Sequence, residues 1–317
     1  MALQTAVTKL LNIRYPVIQG GMIWVSGWKL AAACSRAGVL GLIGAGSMDP
    51  ELLRHHIQRL RQACPKGGWG VNLPIFFQHA EAMIQVIEDE NVPVVVTSGG
   101  SPGVYTARLK DAGRRVLHVT STPKLALKCQ SAGVDAVVVE GFEAGGHNGR
   151  DELTTMTLVG RCVDTVDIPV IAAGGIADGR SMAAALALGA AGVQIGTALV
   201  ASEESSAHPA FKQAVIEAND GDTALLMRQL IPVRTLKNQW AHDVMAAEAR
   251  GADKDTLLNL LGEGRSRRGM FEGDWQQGEL EIGQAAAGVK GIRPAGEIIE
   301  DMVAQCRHTI ARLAALQ

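Results

Sequence analysis

The chain has 317 residues and a net charge of −2 at neutral pH, with its Lys and Arg residues dispersed along the sequence. The sequence therefore has no cluster of basic residues that would bind nucleic acid or an anionic membrane, and we expect neither as a partner. A small-molecule substrate is expected instead. The five cysteines are scattered and none lies at zinc-binding spacing, which argues against a disulfide framework and against a metal site.

Short apolar runs rich in Val and Ile alternate with helical patterns along the chain, which is typical of repeated β-α-β units. The runs lie at residues 16–21, 40–46, 69–75, 93–99, 115–121, 136–141, 169–175 and 192–197. Helices are predicted at residues 27–37, 49–62, 79–88, 102–111, 123–132, 154–166 and 179–188. Eight nearly continuous apolar strands favour an α/β fold of the (β/α)8 TIM barrel type, because a closed barrel has no edge strand to protect. An open, doubly wound sheet is the structural alternative.

The alternating pattern ends after the eighth strand. Residues 201–281 are polar and helical in character, with turn signals at residues 219–222 and 262–264. We interpret them as a helical insertion that forms a cap over the barrel mouth, and residues 294–316 as the last barrel helix. The predicted domains are therefore a barrel of residues 1–200 and 282–317 and a cap of residues 201–281.

Residues 1–11 lack the pattern of a signal peptide and no apolar stretch is long enough to cross a bilayer, so we expect a cytoplasmic protein.

Several polar and glycine residues stand where strands end, which is where barrel enzymes place their active sites. The first strand ends at Gly20, Gly21 and Met22, where a backbone without Cβ atoms can lie close to a flat ligand. Asn72, near the end of the third strand, has an amide suited to a ring carbonyl or nitrogen. Glu140 and Gln194 also lie on barrel strands, and for these two the alternative is a polar group that fills the barrel core.

The loop after the sixth strand, residues 143–149, places three glycines around one histidine, a pattern that packing alone explains poorly. An imidazole with an ordinary pKa of about 6.5 can donate a proton, accept one or stabilise an anion. We therefore predict that His147 is catalytic, with a purely structural histidine as the alternative.

The last two barrel strands end in a pattern suited to a phosphate group. Gly174 and Gly175 follow the seventh strand, and Gly196 and Thr197 follow the eighth. Their backbone N–H groups are free of Cβ obstruction, and the Thr197 hydroxyl adds a further donor. Tight strand-to-helix turns are the alternative explanation of each glycine, but the two pairs together favour phosphate binding.

These motifs together resemble the nitronate monooxygenase (2-nitropropane dioxygenase) superfamily, which includes the FMN-dependent enoyl-ACP reductases. The resemblance spans nearly the whole chain and is carried by residues 19–22, 70–72, 140–147, 169–176 and 193–197. It implies bound FMN, with the isoalloxazine ring near Gly21, Met22 and Asn72. The phosphate would lie near Gly174-Gly175 and Gly196-Thr197. It also implies that His147 is the catalytic histidine and that the cofactor site includes Gly20, Glu140, Gly145, Gly146 and Gln194.

The resemblance implies that alkyl nitronates are oxidised with O2 to carbonyl compounds and nitrite. Residues 153–159 and 233–238 look like the enoyl-ACP reductase branch, so an FMN-dependent enoyl-ACP reductase of fatty-acid synthesis, with NAD(P)H as electron donor, is an alternative. An NAD(P)H:quinone reductase is another, and a non-catalytic flavin-binding protein is the alternative of a different class. A barrel of the IMP dehydrogenase type is disfavoured, because no cysteine lies between Phe142 and Met156. The oligomeric state, a homodimer included, is left open.

Overall fold

Eight parallel strands form the centre of the computed structural model, which describes residues 3–76 and 79–316. Numbered in chain order, they are β1 (Val17–Gln19), β2 (Gly41–Gly44), β3 (Trp69–Pro74), β4 (Val94–Ser98), β5 (Arg115–Thr120), β6 (Ala136–Glu140), β8 (Val170–Ala173) and β9 (Gly192–Ile195). They pair in the order β1-β9-β8-β6-β5-β4-β3-β2, and a parallel bridge between Ile18 and Leu40 joins the two ends of the sheet. The predicted TIM barrel is confirmed, and the open sheet is not found.

The Val-rich strands are buried on both faces, as expected for a parallel barrel. Successive side chains of a strand point to opposite faces, so Val94 and Val96 pack inside the barrel while Val95 packs against the outer helices. The interior layer also contains Ile18, Leu40, Leu42, Leu117, Val138 and Ile171. This alternation fills the barrel with side chains and leaves ligand space only at its ends.

The helices around the barrel are α1 (Ala6–Leu11), α2 (Trp28–Arg36), α3 (Pro50–Ala63), α4 (Ala80–Asp89), α5 (Thr106–Asp111), α6 (Pro123–Ser131), α7 (Thr155–Val163), α8 (Gly179–Ala187) and, last in the chain, α13 (Ala295–Ala314). Polar side chains cap several of them: Asp49, Thr122, Thr154 and Asp178 each accept a hydrogen bond from a backbone N–H of the first turn. The predicted helix at residues 102–111 begins with a separate 3-10 turn at Pro102–Val104.

A short helix, α9 (Thr197–Val200), follows β9, and the insertion after it contains the helices α10 (Pro209–Glu217), α11 (Gln239–Ala249) and α12 (Lys254–Leu261). It also contains two strands that were not predicted, β10 (Thr223–Leu226) and β11 (Val233–Leu236), which pair antiparallel. A further strand, β7 (Gly146–His147), lies in the loop after β6 and pairs with β11. These strands escaped prediction because each has at most four residues, and β7 in addition pairs with a segment that is distant in sequence.

None of the helices in the described part of the chain has the length and apolar character needed to cross a membrane. The outermost residues of the predicted barrel domain, 1, 2 and 317, lie outside the described residues.

Candidate active site

A cavity of about 650 Å³ opens at the carboxyl ends of the barrel strands. All thirteen residues singled out from the sequence line it: Gly20, Gly21, Met22, Asn72, Glu140, Gly145, Gly146, His147, Gly174, Gly175, Gln194, Gly196 and Thr197. The insertion completes the wall with Ile231, Met270 and Glu281. The structure thus brings the candidate residues together, while the role of each remains a prediction.

His147 is held in place by the small antiparallel sheet. Within that sheet it pairs with Val233 of β11, and the neighbouring Gly146 pairs with Arg234. Asn148 fixes the turn from inside, since its Nδ2 donates to the carbonyl oxygens of Ala144 at 3.0 Å and Gly146 at 2.9 Å. The position of the imidazole is therefore set by the insertion as well as by the barrel.

The His147 ring is open to the cavity, and the Phe76 ring meets it edge-on with 6.4 Å between the ring centroids. Desolvation by the surrounding cavity wall lowers the pKa of His147, and the nearby Glu279 carboxylate opposes this shift. A lowered pKa keeps the imidazole neutral at pH 7, so that it can offer one N–H donor and one acceptor nitrogen.

Glu143, in the same loop, has a structural role. Both of its carboxylate oxygens accept from the backbone N–H of Thr155 at 3.0 Å, and the Thr155 hydroxyl lies 3.1 Å from Oε2. The same hydroxyl also donates to the carbonyl oxygen of Gly174 at 2.9 Å. A carboxylate at this helix N-terminus is favoured by the helix dipole, so Glu143 ties the loop to α7 and to the end of β8.

Arg234 of β11 anchors the loop from the side of the insertion. Its Nε donates to the carbonyl oxygen of Phe142 at 2.9 Å, and its guanidinium lies over the Phe142 ring. Burial lowers the pKa of Arg234, while the Glu143 carboxylate raises it. An arginine so fully engaged with the loop leaves little of its charge to a ligand in the cavity.

Three buried carboxyl groups, of which Glu140 and Glu281 line the cavity and Glu279 does not, have shifted pKa values. Burial raises the pKa of Glu140 to about 7. It also raises the pKa of Glu281 and of Glu279, and the two carboxylates repel each other. Neither Glu279 nor Glu281 was identified from the sequence. The alternation Glu279-Leu280-Glu281-Ile282, which places both acids on one face of an extended segment, is the only local signal that could have found them.

At the predicted phosphate end, Thr197 already has one partner, because its Oγ1 accepts from the backbone N–H of Gly283 at 3.1 Å. The hydroxyl hydrogen of Thr197 stays available to an anion. Gly21, which follows β1, packs so closely on Asn72 that a Cβ there would lie 2.2 Å from the Asn72 Cβ. The Asn72 amide in turn donates to the carbonyl oxygen of Val96 at 3.0 Å.

Three buried polar atoms on the cavity wall have no hydrogen-bond partner among the described residues: Gln194 Oε1, Thr120 Oγ1 and Asn148 Oδ1. Gln19 provides the contrast, since its Oε1 accepts from the Leu42 backbone at 2.8 Å and its Nε2 donates to Ser26 Oγ at 2.8 Å. Gln19 therefore fills the barrel core. Leaving a buried polar atom unpaired costs about 1–3 kcal/mol, so a ligand that formed hydrogen bonds to these three atoms would recover that cost.

His118 of β5 is a buried residue that also faces the cavity. Its Nδ1 lies 2.7 Å from Thr97 Oγ1, and burial followed by the charge of Lys128 lowers its pKa to about 4. It is therefore neutral at physiological pH. Lys128 is the only lysine or arginine among the described residues that line the cavity.

Comparison with known proteins gives matches along nearly the whole chain. The family model described as nitronate monooxygenase matches residues 4–83 and 75–305. A probable nitronate monooxygenase of Staphylococcus saprophyticus is 31% identical over 98% of this chain and 100% of its own. A (3aS,4S,5R,7aS)-5-hydroxy-7a-methyl-1-oxo-octahydro-1H-indene-4-carboxyl-CoA dehydrogenase of Rhodococcus jostii is 31% identical over 99% of both chains.

Two solved structures are similar over barrel and insertion alike. FabK from Thermotoga maritima has a TM-score of 0.94 and 41% identity, with 99% of each chain covered. A nitroalkane oxidase from Streptomyces ansochromogenes has a TM-score of 0.82 and 30% identity, covering 98% of this chain and 100% of its own.

Proposed function

This chain belongs to the nitronate monooxygenase family, a family of oxidoreductases, and from that premise we propose that it is an FMN-dependent enzyme that oxidises alkyl nitronates with O2 to carbonyl compounds and nitrite. The observation that carries the proposal is the assembly of all thirteen predicted residues around one cavity, with His147 on its rim. The residues that the sequence predicted to be functional therefore line a single cavity.

The cavity fits FMN by size and by chemistry. Its volume of about 650 Å³ lies within the range usual for cofactor and substrate sites. Gln194 Oε1 is an unpaired buried acceptor suited to a ring N–H, and the Gly174-Gly175 and Gly196-Thr197 pairs line the wall where a phosphate would be held. When bound, FMN supplies the acceptor for substrate electrons and their onward transfer to O2.

The chain's own residues bind and orient the substrate. A neutral His147 offers an N–H to an oxygen of the nitronate, and the loop of Gly145 and Gly146 brings backbone close to the same point. Because Lys128 is the only cation on the described cavity wall, hydrogen bonds rather than an ion pair balance most of the nitronate charge. We also propose that residues 201–281 act as the cap that excludes water from this mouth, since Ile231 and Met270 line the mouth and β11 pairs with the His147 segment.

Enoyl-ACP reduction is the second candidate. The structural match to the enoyl-ACP reductase FabK, at 41% identity, exceeds the match to the nitroalkane oxidase, at 30%. In that case NAD(P)H would provide the electrons and an enoyl thioester would receive them. A cytoplasmic location stays a prediction, and the oligomeric state, a homodimer included, stays open.

The deciding experiment uses the purified protein under anaerobic conditions. Flavin absorbance is recorded first, and propionate 3-nitronate or NADH is then added to separate samples. Flavin reduction by the nitronate, with nitrite formed when air is admitted, supports the proposal. Rapid reduction by NADH followed by turnover of crotonyl thioester replaces it with the reductase, and a protein that cannot take up FMN contradicts both.

A further inference from the structure

Part of the cavity lies outside the barrel interior, between β5 and α6. Leu117 and Val119 of β5 pack in the interior, so the alternate residues His118 and Thr120 point towards the surrounding helices. Both nevertheless line the cavity, as do three residues of α6. The cavity therefore continues from the mouth into the layer between this strand and this helix. We call this extension the side branch, and its walls are His118, Thr120, Leu125, Lys128 and Cys129.

Close contacts place the entrance of the side branch beside His147. The catalytic loop packs on the end of β5, since a Cβ on Gly149 would collide with Ser121 Oγ. On the other side, the Phe76 ring meets the His147 ring, and a Cβ on Gly99, which follows β4, would collide with Phe76. Ser121, Phe76 and Gly99 all line the cavity. A ligand at His147 can therefore extend between the ends of β4 and β5.

The proposed FMN site uses other parts of the barrel. Its phosphate loops follow β8 and β9, and the residues near its ring belong to β3 and to the end of β1. In the strand order β9-β8-β6-β5-β4, the strand β6 separates β5 from the phosphate end. None of the thirteen residues predicted from the sequence belongs to the side branch. The side branch is therefore available to the substrate.

Two neutral polar groups of the side branch lack a full set of partners. Thr120 is 7% exposed, and its hydroxyl has no hydrogen-bond partner among the described residues. The only hydrogen bond of His118 within the described chain joins its Nδ1 to Thr97 Oγ1 at 2.7 Å, which leaves Nε2 to a ligand. A buried hydroxyl without a partner is unfavourable, so this wall is suited to a ligand with a polar group.

Lys128 adds a positive charge to the same branch. Its ammonium forms no ion pair or hydrogen bond in the part of the chain that the structure describes. After burial, the charge of Lys128 is the second cause that lowers the pKa of His118, so the two side chains are close enough to interact. A cation and two neutral hydrogen-bonding groups thus meet in one extension of the cavity, which is a combination suited to an anion.

We propose that the side branch binds the tail of an elongated nitronate that ends in an anionic group, a carboxylate or a phosphate. This inference rests on the proposed function and names its substrate class. The nitronate group lies at His147, and the methylene chain passes the apolar side chains of Leu125 and Cys129. Lys128 pairs with the terminal charge, and the Thr120 hydroxyl donates a hydrogen bond to it. His118 provides a further donor in the tautomer that has its hydrogen on Nε2.

The test compares nitronates of equal chain length that end in a carboxylate or in a methyl group. In the wild type, kcat/KM for the carboxylated member should be higher by about 5-fold, the effect of one partly solvated ion pair. Lys128→Met should remove this advantage, and Thr120→Val should reduce it by about 5-fold through the lost hydrogen bond. Lys124→Met is the matched control, because it removes a charge from the same helix at a position that does not line the cavity. It should retain the advantage.

The wild-type enzyme provides a test that needs no variant. The advantage of the carboxylate should appear only when the chain is long enough to reach the side branch. A phosphate-ended chain that is preferred to the carboxylate, with a preference that Lys128→Met removes, would identify a phosphorylated tail. An advantage that is largest for the shortest nitronate, or that survives in Lys128→Met, would overturn the inference and leave the proposed function intact.

A binding measurement separates this inference from the proposed reaction. Octanoate and octanamide, which have equal length and differ in charge, are titrated into the FMN-loaded enzyme and followed by flavin absorbance. Octanoate should bind about 5-fold more tightly than octanamide in the wild type and in Lys124→Met, and equally in Lys128→Met. Equal affinities in the wild type would contradict the inference. An enzyme that turns over no nitronate would contradict the proposed function, and this titration would still decide whether the side branch binds an anionic tail.

Discussion

The contact between Gly146 and Glu281 can be tested by adding a single methyl group. Gly146 has a φ of +77°, and a Cβ there would lie 2.6 Å from Glu281 Oε2. The left-handed backbone costs an alanine about 1–2 kcal/mol. Pushing the carboxylate out of its rotamer adds about 0.5–1.5 kcal/mol. We therefore expect Gly146→Ala to lower the free energy of unfolding by about 1.5–3.5 kcal/mol.

Gly133 provides the control, because its φ of +84° carries the same backbone strain while nothing lies within 4 Å of its Cβ position. Gly133→Ala should cost only the backbone strain of about 1–2 kcal/mol. The assay is urea unfolding of both variants, each made also in a Glu281→Ala background. Removing the carboxylate should bring the cost at position 146 down to that at position 133. Equal costs at the two positions in both backgrounds would refute the placement of Glu281.

Three further predictions concern the cavity wall. His147→Ala should retain flavin, measured by absorbance, and lose nitronate turnover, since the imidazole acts on the substrate; unchanged turnover would refute its catalytic role. Gln194→Leu should weaken FMN binding about 10-fold, which corresponds to the loss of roughly one hydrogen bond. The flavin-free protein should become more stable, because the substitution removes an unpaired buried acceptor. Fluorescence titration and thermal unfolding check both effects, and an unchanged Kd would contradict the assignment. Burial raises the pKa of Glu140 from 4.5 to about 7, so the folded state binds the Glu140 proton more tightly than the unfolded state does. The stabilisation from this protonated carboxyl is therefore present below pH 4.5 and is lost as pH rises to about 7. Glu140→Gln should reduce that decline in urea unfolding, and an identical pH dependence would show that Glu140 is solvated.

Much of the fold and the outline of the site could be predicted from the sequence, because local patterns determine both. Apolar runs such as Val94–Ser98 are buried on either face only in a parallel sheet enclosed by helices, so their number and spacing indicate a barrel. Residues at the carboxyl ends of parallel strands must meet at one mouth. Asn72, Gly174 and Gln194 could therefore be placed in one site without any knowledge of their contacts.

Other features were decided only by the tertiary structure. The four-residue strand β11 binds the His147 loop from a distant part of the chain, and short strands of this kind leave little periodicity to read. Gln19 and Gln194 look alike in sequence, yet one is fully hydrogen-bonded and the other has an orphaned oxygen. The pKa of Glu281 likewise depends on burial, which packing creates and local sequence cannot encode. Sequence alone therefore determined the barrel and the position of its mouth, whereas long-range packing decided which charges and polar groups face the ligand.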